Sequence, residues 1–137
     1  MLSFKVRIAA AAGAAFVAIA LILPASSAMA TGQSCAYSGG PFQTCSYVNG
    51  SGLHINYQQG SVYNERNDTW YDVHIELSGP DGLIKNCAQT NIAGGATIYC
   101  TWSPNANEPG GNYCATAWEY LNDQYVNQGE ACLDVHS

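Results

Sequence analysis

Residues 71–85 have the sequence YDVHIELSGPDGLIK, and this stretch decides the fold class of the chain. In residues 71–78 apolar side chains alternate with polar ones, which is the pattern of a strand that is buried on one face. The GPDG segment at 79–82 favours a tight turn, because proline presets φ and glycine accepts a positive φ. Residues 83–85 can then return as a second strand. The stretch therefore predicts a β-hairpin with one apolar and one polar face.

The charges in this hairpin predict its register. If Ser78 closes the turn opposite Leu83, Glu76 faces Lys85 as an opposite-charge cross-strand pair. The same register gathers the apolar side chains, Leu77 among them, on the other face. A slip of one residue would exchange the two faces, so the charge pair and the apolar face together define the prediction.

The alternation and the turns continue along the chain. Further candidate strands span residues 44–48, 53–57, 83–90, 96–102, 112–120 and 125–135, and polar or glycine-rich segments separate them. No long segment of the sequence shows helical periodicity. About seven short strands with frequent turns predict an all-β fold, a small antiparallel β-sandwich that is immunoglobulin-like in layout.

Six cysteines lie beyond residue 30, an even number that fits three disulfides. Consecutive cysteines flank possible turns, which predicts staples across three hairpins at Cys35–Cys45, Cys87–Cys100 and Cys114–Cys132. The other connectivities that six cysteines allow remain open, and an inter-sheet disulfide of the immunoglobulin kind is the main alternative. A metal site is not expected, because the sequence has no C-x-x-C pair.

The first 30 residues predict a secretory signal peptide. Lys5 and Arg7 precede an alanine-rich apolar run at 8–23, and Ala28-Met29-Ala30 supplies the small residues of a cleavage site. The alternative is a membrane anchor, but a run of about 16 residues is shorter than the roughly 20 that a spanning helix needs. We therefore expect cleavage after Ala30, a single domain at 31–137 and a secreted, extracellular protein. The alanine-rich signal favours a bacterial source.

Cleavage would leave a strongly acidic chain. Arg66 and Lys85 are then the remaining basic residues against ten carboxylates, which gives a formal charge of −8. Such a chain cannot neutralise a row of phosphates or bind an anionic membrane surface, so nucleic acid and membrane partners are not expected. The charge is expected to keep the protein soluble and monomeric. The sequence has no phosphate-binding glycine loop, and no cofactor is expected.

The candidate binding site lies on the polar face of the hairpin. Asp72, His74 and Glu76 follow period-two spacing, so they are predicted to share one sheet face. Turn counting around Cys87–Cys100 places Trp102 on the same face, whereas Trp70 and Trp118 are expected in the core. An aromatic ring beside carboxylates suits a sugar, because the ring covers its C–H face while polar groups bind its hydroxyls. The alternatives are a metal or proton-transfer site and an ordinary solvated face.

Catalysis is not expected from this sequence. It lacks the G-x-S-x-G and H-E-x-x-H motifs, and paired cysteines leave no thiolate nucleophile. The sequence predicts a small secreted binding protein that recognises a glycan, a cell-wall polymer or a small ligand through an aromatic and acidic sheet face. The alternative is an inhibitor of an extracellular enzyme that acts through the loop at 104–110, since a preorganised loop loses little entropy on binding. The expected partner is thus an extracellular polysaccharide or a secreted protein.

Overall fold

The computed structural model describes residues 31–37 and 42–137, so the predicted signal peptide at 1–30 and the turn at 39–41 lie outside the described residues. Within the described residues the chain forms ten strands. They are β1 Gly32–Tyr37, β2 Phe42–Ser51, β3 His54–Asn64, β4 Trp70–Gly79, β5 Gly82–Asn86, β6 Thr90–Ile92, β7 Thr97–Trp102, β8 Ala106–Asn107, β9 Gly111–Leu121 and β10 Gln124–Val135.

The strands form two antiparallel five-stranded sheets, and this architecture confirms the predicted disulfide-stapled β-sandwich. One sheet has the order β1-β2-β3-β7, with β8 also paired to β3. We call it the neutral sheet, because its strands contain no Asp, Glu, Lys or Arg. The second has the order β10-β9-β4-β5, with β6 also paired to β4, and we call it the acidic sheet. The number of strands exceeds the expected seven, since β6 and β8 were not anticipated and β1 was implied only by the predicted Cys35–Cys45 hairpin.

The core lies between the sheets, and Gly60 of β3 packs closely against the acidic sheet. A Cβ atom built on Gly60 would lie 2.8 Å from Ile75 Cγ2 and 2.9 Å from the Ala115 Cβ of the other sheet. At one end of the core, the rings of Phe42 and Trp70 stack with centroids 3.5 Å apart. Trp70 is buried, as predicted. No helix among the described residues is both long enough and apolar enough to cross a membrane.

The three disulfides have the predicted connectivity but not a common geometry. Cys35 lies directly opposite Cys45, with Cα atoms 4.1 Å apart. Cys114 lies opposite Cys132 in the same way, at 4.0 Å. The third pair differs, because Cys100 belongs to the neutral sheet while the backbone N–H of Cys87 donates to Ile75 O of the acidic sheet. This disulfide therefore joins the two sheets, as in the immunoglobulin alternative.

The predicted hairpin between Cys87 and Cys100 is not formed. Strand β6 pairs with β4, whereas β7 pairs with β3 and places Cys100 opposite Gly60. The chain therefore crosses from one sheet to the other between these strands, and the predicted faces of β7 are reversed. Cys100 and Trp102 pack towards the core, while Tyr99 is 63% exposed on the outer side. The alternating pattern predicted which of these residues share a face, but it could not assign β7 to a sheet.

The pairing of β4 contains two bulges, and the first changes the register predicted for the hairpin at 71–85. Ser78 lies opposite Leu83 as expected, but a bulge shifts the next pairs, so that Glu76 faces Asn86 instead of Lys85. The Lys85 ammonium instead donates to the carbonyl of Thr101 in the neutral sheet. The predicted Glu76–Lys85 pair is therefore wrong, because one extra residue in β5 displaces every later partner.

A second irregularity at the start of β4 separates Asp72 from the predicted site. Trp70 pairs with Ile92 and Val73 with Thr90, which leaves two residues of β4 opposite one of β6. Asp72 has a φ of 55°, a left-handed conformation that asparagine and aspartate accept more readily than other side chains. The period is broken here, so Tyr71 is exposed rather than buried. Asp72 therefore does not continue the regular face of His74 and Glu76.

The β9–β10 hairpin follows the predicted register over its first half. Counting residues from a directly opposed Cys114–Cys132 pair predicts Trp118 opposite Gln128. Pairs from Cys114–Cys132 to Ala117–Gly129 agree with this count, and a bulge then places Trp118 opposite Asn127 instead. The turn residues Asn122 and Asp123 both have positive φ, at 50° and 63°. This is the pattern of a two-residue type I′ turn, whose twist matches that of the flanking strands.

Candidate functional site

The outer face of the acidic sheet carries the candidate site. In β9 the side chains of Tyr113, Ala115 and Ala117 are buried towards the core. Alternate residues, including Trp118, therefore point to the outer face. On the adjacent β4, His74 lies directly opposite Trp118.

The carboxylate of Glu76 is the polar centre of this face. The indole N–H of Trp118 donates to Glu76 Oε2 at 2.8 Å, which fixes the orientation of the ring. The amide of Asn86 donates to the other oxygen, Oε1, at 3.3 Å. His74 Nε2 lies 3.8 Å from the same Oε1 atom. Both carboxylate oxygens thus have neighbours that hold Glu76 in place.

Aromatic rings from β10 and β9 lie over one side of this centre. The ring of Tyr125 meets His74 edge-on, with centroids 4.9 Å apart, and the His74 residue is only 5% exposed. Tyr120 packs beside Tyr125, with ring centroids 5.0 Å apart. The hydroxyl of Tyr125 donates to Gln89 Oε1 at 3.2 Å, so the ring extends across the face. The face therefore combines fixed aromatic rings with a fixed carboxylate.

Two adjacent depressions form a groove on this face. The first, of about 220 Å³, is lined by His74, Glu76, Asn86, Trp118 and Tyr125. The second, of about 480 Å³, shares three of these residues and continues along 87–89. We call the two together the outer-face groove. Its rings can cover apolar C–H groups, while its carboxylate and amides can bind hydroxyls.

The structure brings together two of the four predicted ligand-binding residues. His74 and Glu76 are neighbours in the groove. Asp72 lies beyond the bulge, and no hydrogen bond within the described residues joins its carboxylate to either of them. Trp102 lies in the other sheet, where it packs against the core, so it does not share a face with Glu76. The predicted four-residue arrangement is therefore wrong in its geometry.

Trp118 is the residue that sequence reasoning missed. It was expected in the core but is only partly buried and lines the outer-face groove. The signal that could have found it is the alternation in 112–118. Small apolar residues occupy 115 and 117, whereas the polar Asn112 and Thr116 share the parity of Trp118. Because alternate residues of a strand share a face, the polar neighbours at 112 and 116 predict an outer position for Trp118 more directly than the general tendency of tryptophan to be buried predicts a core position.

Trp102 lines a separate cavity of about 120 Å³ at one end of the sandwich. Asp81 and Glu108 also line it, together with the buried ring of Tyr113. The Tyr113 hydroxyl donates to Pro109 O at 2.7 Å. Burial, followed by the nearby carboxylates of Glu108 and Asp81, raises the pKa of Tyr113 above its ordinary value of 10.0.

The loop at 104–110 is held against β3 by backbone and side-chain contacts. Strand β8 pairs with the start of β3, and the Glu108 N–H donates to Leu53 O at 2.9 Å. The His54 ring lies 3.2 Å from Asn107 Oδ1 and 3.3 Å from Asn105 Oδ1. The loop is therefore preorganised rather than extended away from the sheet.

One cluster in the described residues has the spacing of metal ligands, namely Cys114, Glu130 and Cys132. Its two sulfur atoms form a disulfide, so neither is a thiolate that could bind an ion. The Glu130 carboxylate instead accepts a hydrogen bond from Thr116 at 3.0 Å. This cluster therefore does not define a metal centre.

The chain matches no protein-family model, and no curated protein matches it either.

Proposed function

We propose that this protein is a secreted, non-catalytic binding protein that holds a sugar unit of an extracellular glycan in the outer-face groove. The observation that carries the proposal is the 2.8 Å hydrogen bond from Trp118 to Glu76. It fixes an aromatic ring beside a carboxylate before any ligand arrives, so little entropy is lost on binding.

The chemistry of the groove suits a sugar ring. The ring's C–H face can lie against Trp118 or Tyr125, and its hydroxyls can donate to Glu76 and accept from Asn86. The first depression, at about 220 Å³, is smaller than the roughly 300–1,000 Å³ of typical drug-sized sites. Its neighbour along 87–89 leaves room for a second unit of the same chain. The ligand class is therefore an oligosaccharide.

A binding role also agrees with the environment of Glu76. Each of its oxygens already accepts a hydrogen bond, from Trp118 or from Asn86. A carboxylate oxygen has a second lone pair, so each oxygen can also accept from a ligand hydroxyl. The proposal therefore gives Glu76 the role of orienting Trp118 and binding hydroxyls. Three disulfides support the secreted part of the proposal, because such bonds persist in oxidising compartments.

Titration of intrinsic tryptophan fluorescence with soluble oligosaccharides tests this proposal. A panel of gluco-, chito-, xylo- and manno-oligosaccharides should include one that changes the emission and binds saturably. Trp118→Phe should weaken that binding, since phenylalanine lacks the N–H group that donates to Glu76. Tyr71→Ala is the control, because Tyr71 is an exposed aromatic of β4, the strand that contains Glu76, and it lies outside the groove. Unchanged binding by Trp118→Phe and Trp118→Ala would contradict the proposal.

The held loop at 104–110 favours a second function, inhibition of an extracellular enzyme. Its contacts with Leu53 and His54 preorganise it, as an inhibitor loop requires. Assays against a panel of secreted glycoside hydrolases and proteases test this alternative. Stoichiometric inhibition that disappears when residues 105–109 are replaced by glycine and serine would support it over the glycan-binding proposal.

A further inference from the structure

Charge is segregated between the two sheets. The strands of the neutral sheet contain no Asp, Glu, Lys or Arg, and His54 is their one ordinary ionisable side chain besides tyrosine. All ten carboxylates of the chain lie in the acidic sheet or in loops. A random distribution of charges would not spare five strands, so the neutral sheet presents an outer face of distinct chemistry.

Tyrosine side chains dominate this outer face. Five tyrosines belong to it, namely Tyr37, Tyr47, Tyr57, Tyr63 and Tyr99. Three are exposed, Tyr37 at 61%, Tyr63 at 36% and Tyr99 at 63%. Glutamine, asparagine, serine and threonine occupy the positions between them, with the Cys35–Cys45 disulfide. We call this surface the tyrosine face.

The register places the exposed rings in a regular array. Tyr37, Gln43 and Tyr63 lie side by side on β1, β2 and β3. The two tyrosines are therefore about 9–10 Å apart across the sheet, twice the spacing of neighbouring strands. Tyr99 lies opposite Ser61, two residues along β3 from Tyr63 and therefore on the same face. The rings thus lie at intervals across the sheet rather than in a single cluster.

Hydrogen bonds between side chains hold the polar groups of this face in place. Gln43 Nε2 donates to the Tyr37 hydroxyl at 2.8 Å. Gln59 Nε2 donates to Thr101 Oγ1 at 3.0 Å. Each of these groups keeps further donor or acceptor capacity for a ligand. The face therefore offers aromatic surface and neutral hydrogen-bonding groups in fixed positions.

We propose that the tyrosine face binds an uncharged polysaccharide lying flat across the sheet. A charged ligand would lose hydration there without gaining an opposite charge. Protein interfaces also use tyrosine, but they combine it with arginine and methionine, and the strands of the neutral sheet contain neither. A neutral polyol matches the aromatic rings and the uncharged polar groups of this face, since its C–H faces stack on tyrosine rings and its hydroxyls pair with amides.

This surface goes beyond the outer-face groove and does not depend on it. The groove lies on the opposite sheet and would hold one or two sugar units beside a carboxylate. The tyrosine face would hold an extended, neutral chain or the surface of an insoluble polymer. The two sites can therefore be tested with different ligands and different variants.

Co-sedimentation of the full-length gene product, recovered from culture medium, tests the proposal. Microcrystalline cellulose, chitin and starch granules serve as neutral polymers, and cross-linked polygalacturonate serves as an anionic one. The protein should bind at least one neutral polymer with an affinity that stays constant between low and high salt, because no ion pairs are involved. Tyr63→Ala with Tyr99→Ala should weaken this binding at least about tenfold, which corresponds to about 1.4 kcal/mol.

Two matched variants separate this surface from the groove. Trp118→Ala should retain the binding to the insoluble polymer, and Tyr71→Ala, which removes an exposed tyrosine of the acidic sheet, should also retain it. Circular dichroism of each variant checks that it has folded. The proposal is overturned if no neutral polymer is bound, if the double tyrosine variant binds normally, or if binding disappears at high salt. It is also overturned if sedimentation equilibrium shows a dimer that the double variant abolishes.

Discussion

Cys87 and Cys100 join the two sheets of the sandwich through a disulfide with Cα atoms 5.9 Å apart. Cys100 lies opposite Gly60, which packs closely against Ile75 and Ala115 of the other sheet. Nearby, Lys85 of β5 donates to Thr101 O of β7, a second link between the same sheet edges. The disulfide therefore fixes the edge of the neutral sheet relative to the outer-face groove, whose second depression Cys87 lines.

Removal of this disulfide is expected to destabilise the whole sandwich. The loop that it closes spans 13 residues, for which the chain-entropy model gives about 3 kcal/mol. We expect Cys87→Ala with Cys100→Ala to lower the free energy of unfolding by about that amount, as measured by urea denaturation. The variant should also show faster amide exchange in both β5 and β7. A loss under about 1 kcal/mol would contradict the entropic argument.

Gly60→Ala is expected to be destabilising through overpacking. The added methyl would lie within 3 Å of Ile75, Leu77 and Ala115. Forcing extra volume into a packed core costs about 1–3 kcal/mol, and we expect a loss in that range by thermal or urea denaturation. The matched control is Ser61→Ala on the outer side of the same strand, which should change stability by less than about 0.5 kcal/mol. Equal effects at the two positions would contradict the packing described here.

Tyr113 is expected to make stability sensitive to alkaline pH. Because burial and the nearby carboxylates raise its pKa in the folded protein, the unfolded chain loses this proton more readily than the folded one. The contribution of Tyr113 is therefore complete below its unfolded pKa of about 10 and is lost as pH rises through the higher folded value. Urea unfolding at a series of pH values should show a shallower alkaline loss for Tyr113→Phe than for wild type.

The matched control for this effect is Tyr99→Phe, because Tyr99 is exposed on the neutral sheet. It should keep the alkaline loss of the wild type. At neutral pH, Tyr113→Phe should cost about 1 kcal/mol, since the hydrogen bond to Pro109 O is lost. If Tyr113→Phe and wild type lose stability equally at high pH, the raised pKa of Tyr113 is not the cause of the alkaline loss of stability.

Replacement of Glu76 tests its proposed role in orienting Trp118. Glu76→Gln keeps an oxygen that can accept from the indole N–H, whereas Glu76→Ala removes it. For an oligosaccharide that binds the groove, we expect Glu76→Ala to weaken binding about tenfold and Glu76→Gln to weaken it less. Titrations followed by calorimetry measure both values. Equal losses for Glu76→Gln and Glu76→Ala would show that the carboxylate charge, rather than the orientation of the ring, determines binding, because both variants remove that charge.

Much of the fold could be predicted from local patterns. The alternation in 71–78 indicated a half-buried strand, and Val73, Ile75 and Leu77 are indeed in the core. Turn counting gave the Cys35–Cys45 and Cys114–Cys132 pairs, because each turn is short and its strands are adjacent. These features depend on residues close in sequence.

The candidate site was less predictable, because it depends on bulges and on the partners of each strand. One extra residue between Leu77 and Lys85 moved Glu76 away from its expected charge partner. A bulge at Asp72 removed that carboxylate from the predicted face. Such irregularities change the parity of every residue beyond them, and they leave no clear signal in the sequence.

By itself, the sequence determined the all-β class and the distribution of charges among the segments, and it predicted the three disulfide pairs while other connectivities remained open. Only the tertiary structure decided that β7 lies beside β3, which turned Trp102 towards the core and Tyr99 outwards. It also decided that Trp118, rather than Trp102, lies next to Glu76. The physical reason is that alternation specifies which side chains share a face, whereas packing between distant segments selects the sheet to which a strand belongs and the face that is buried.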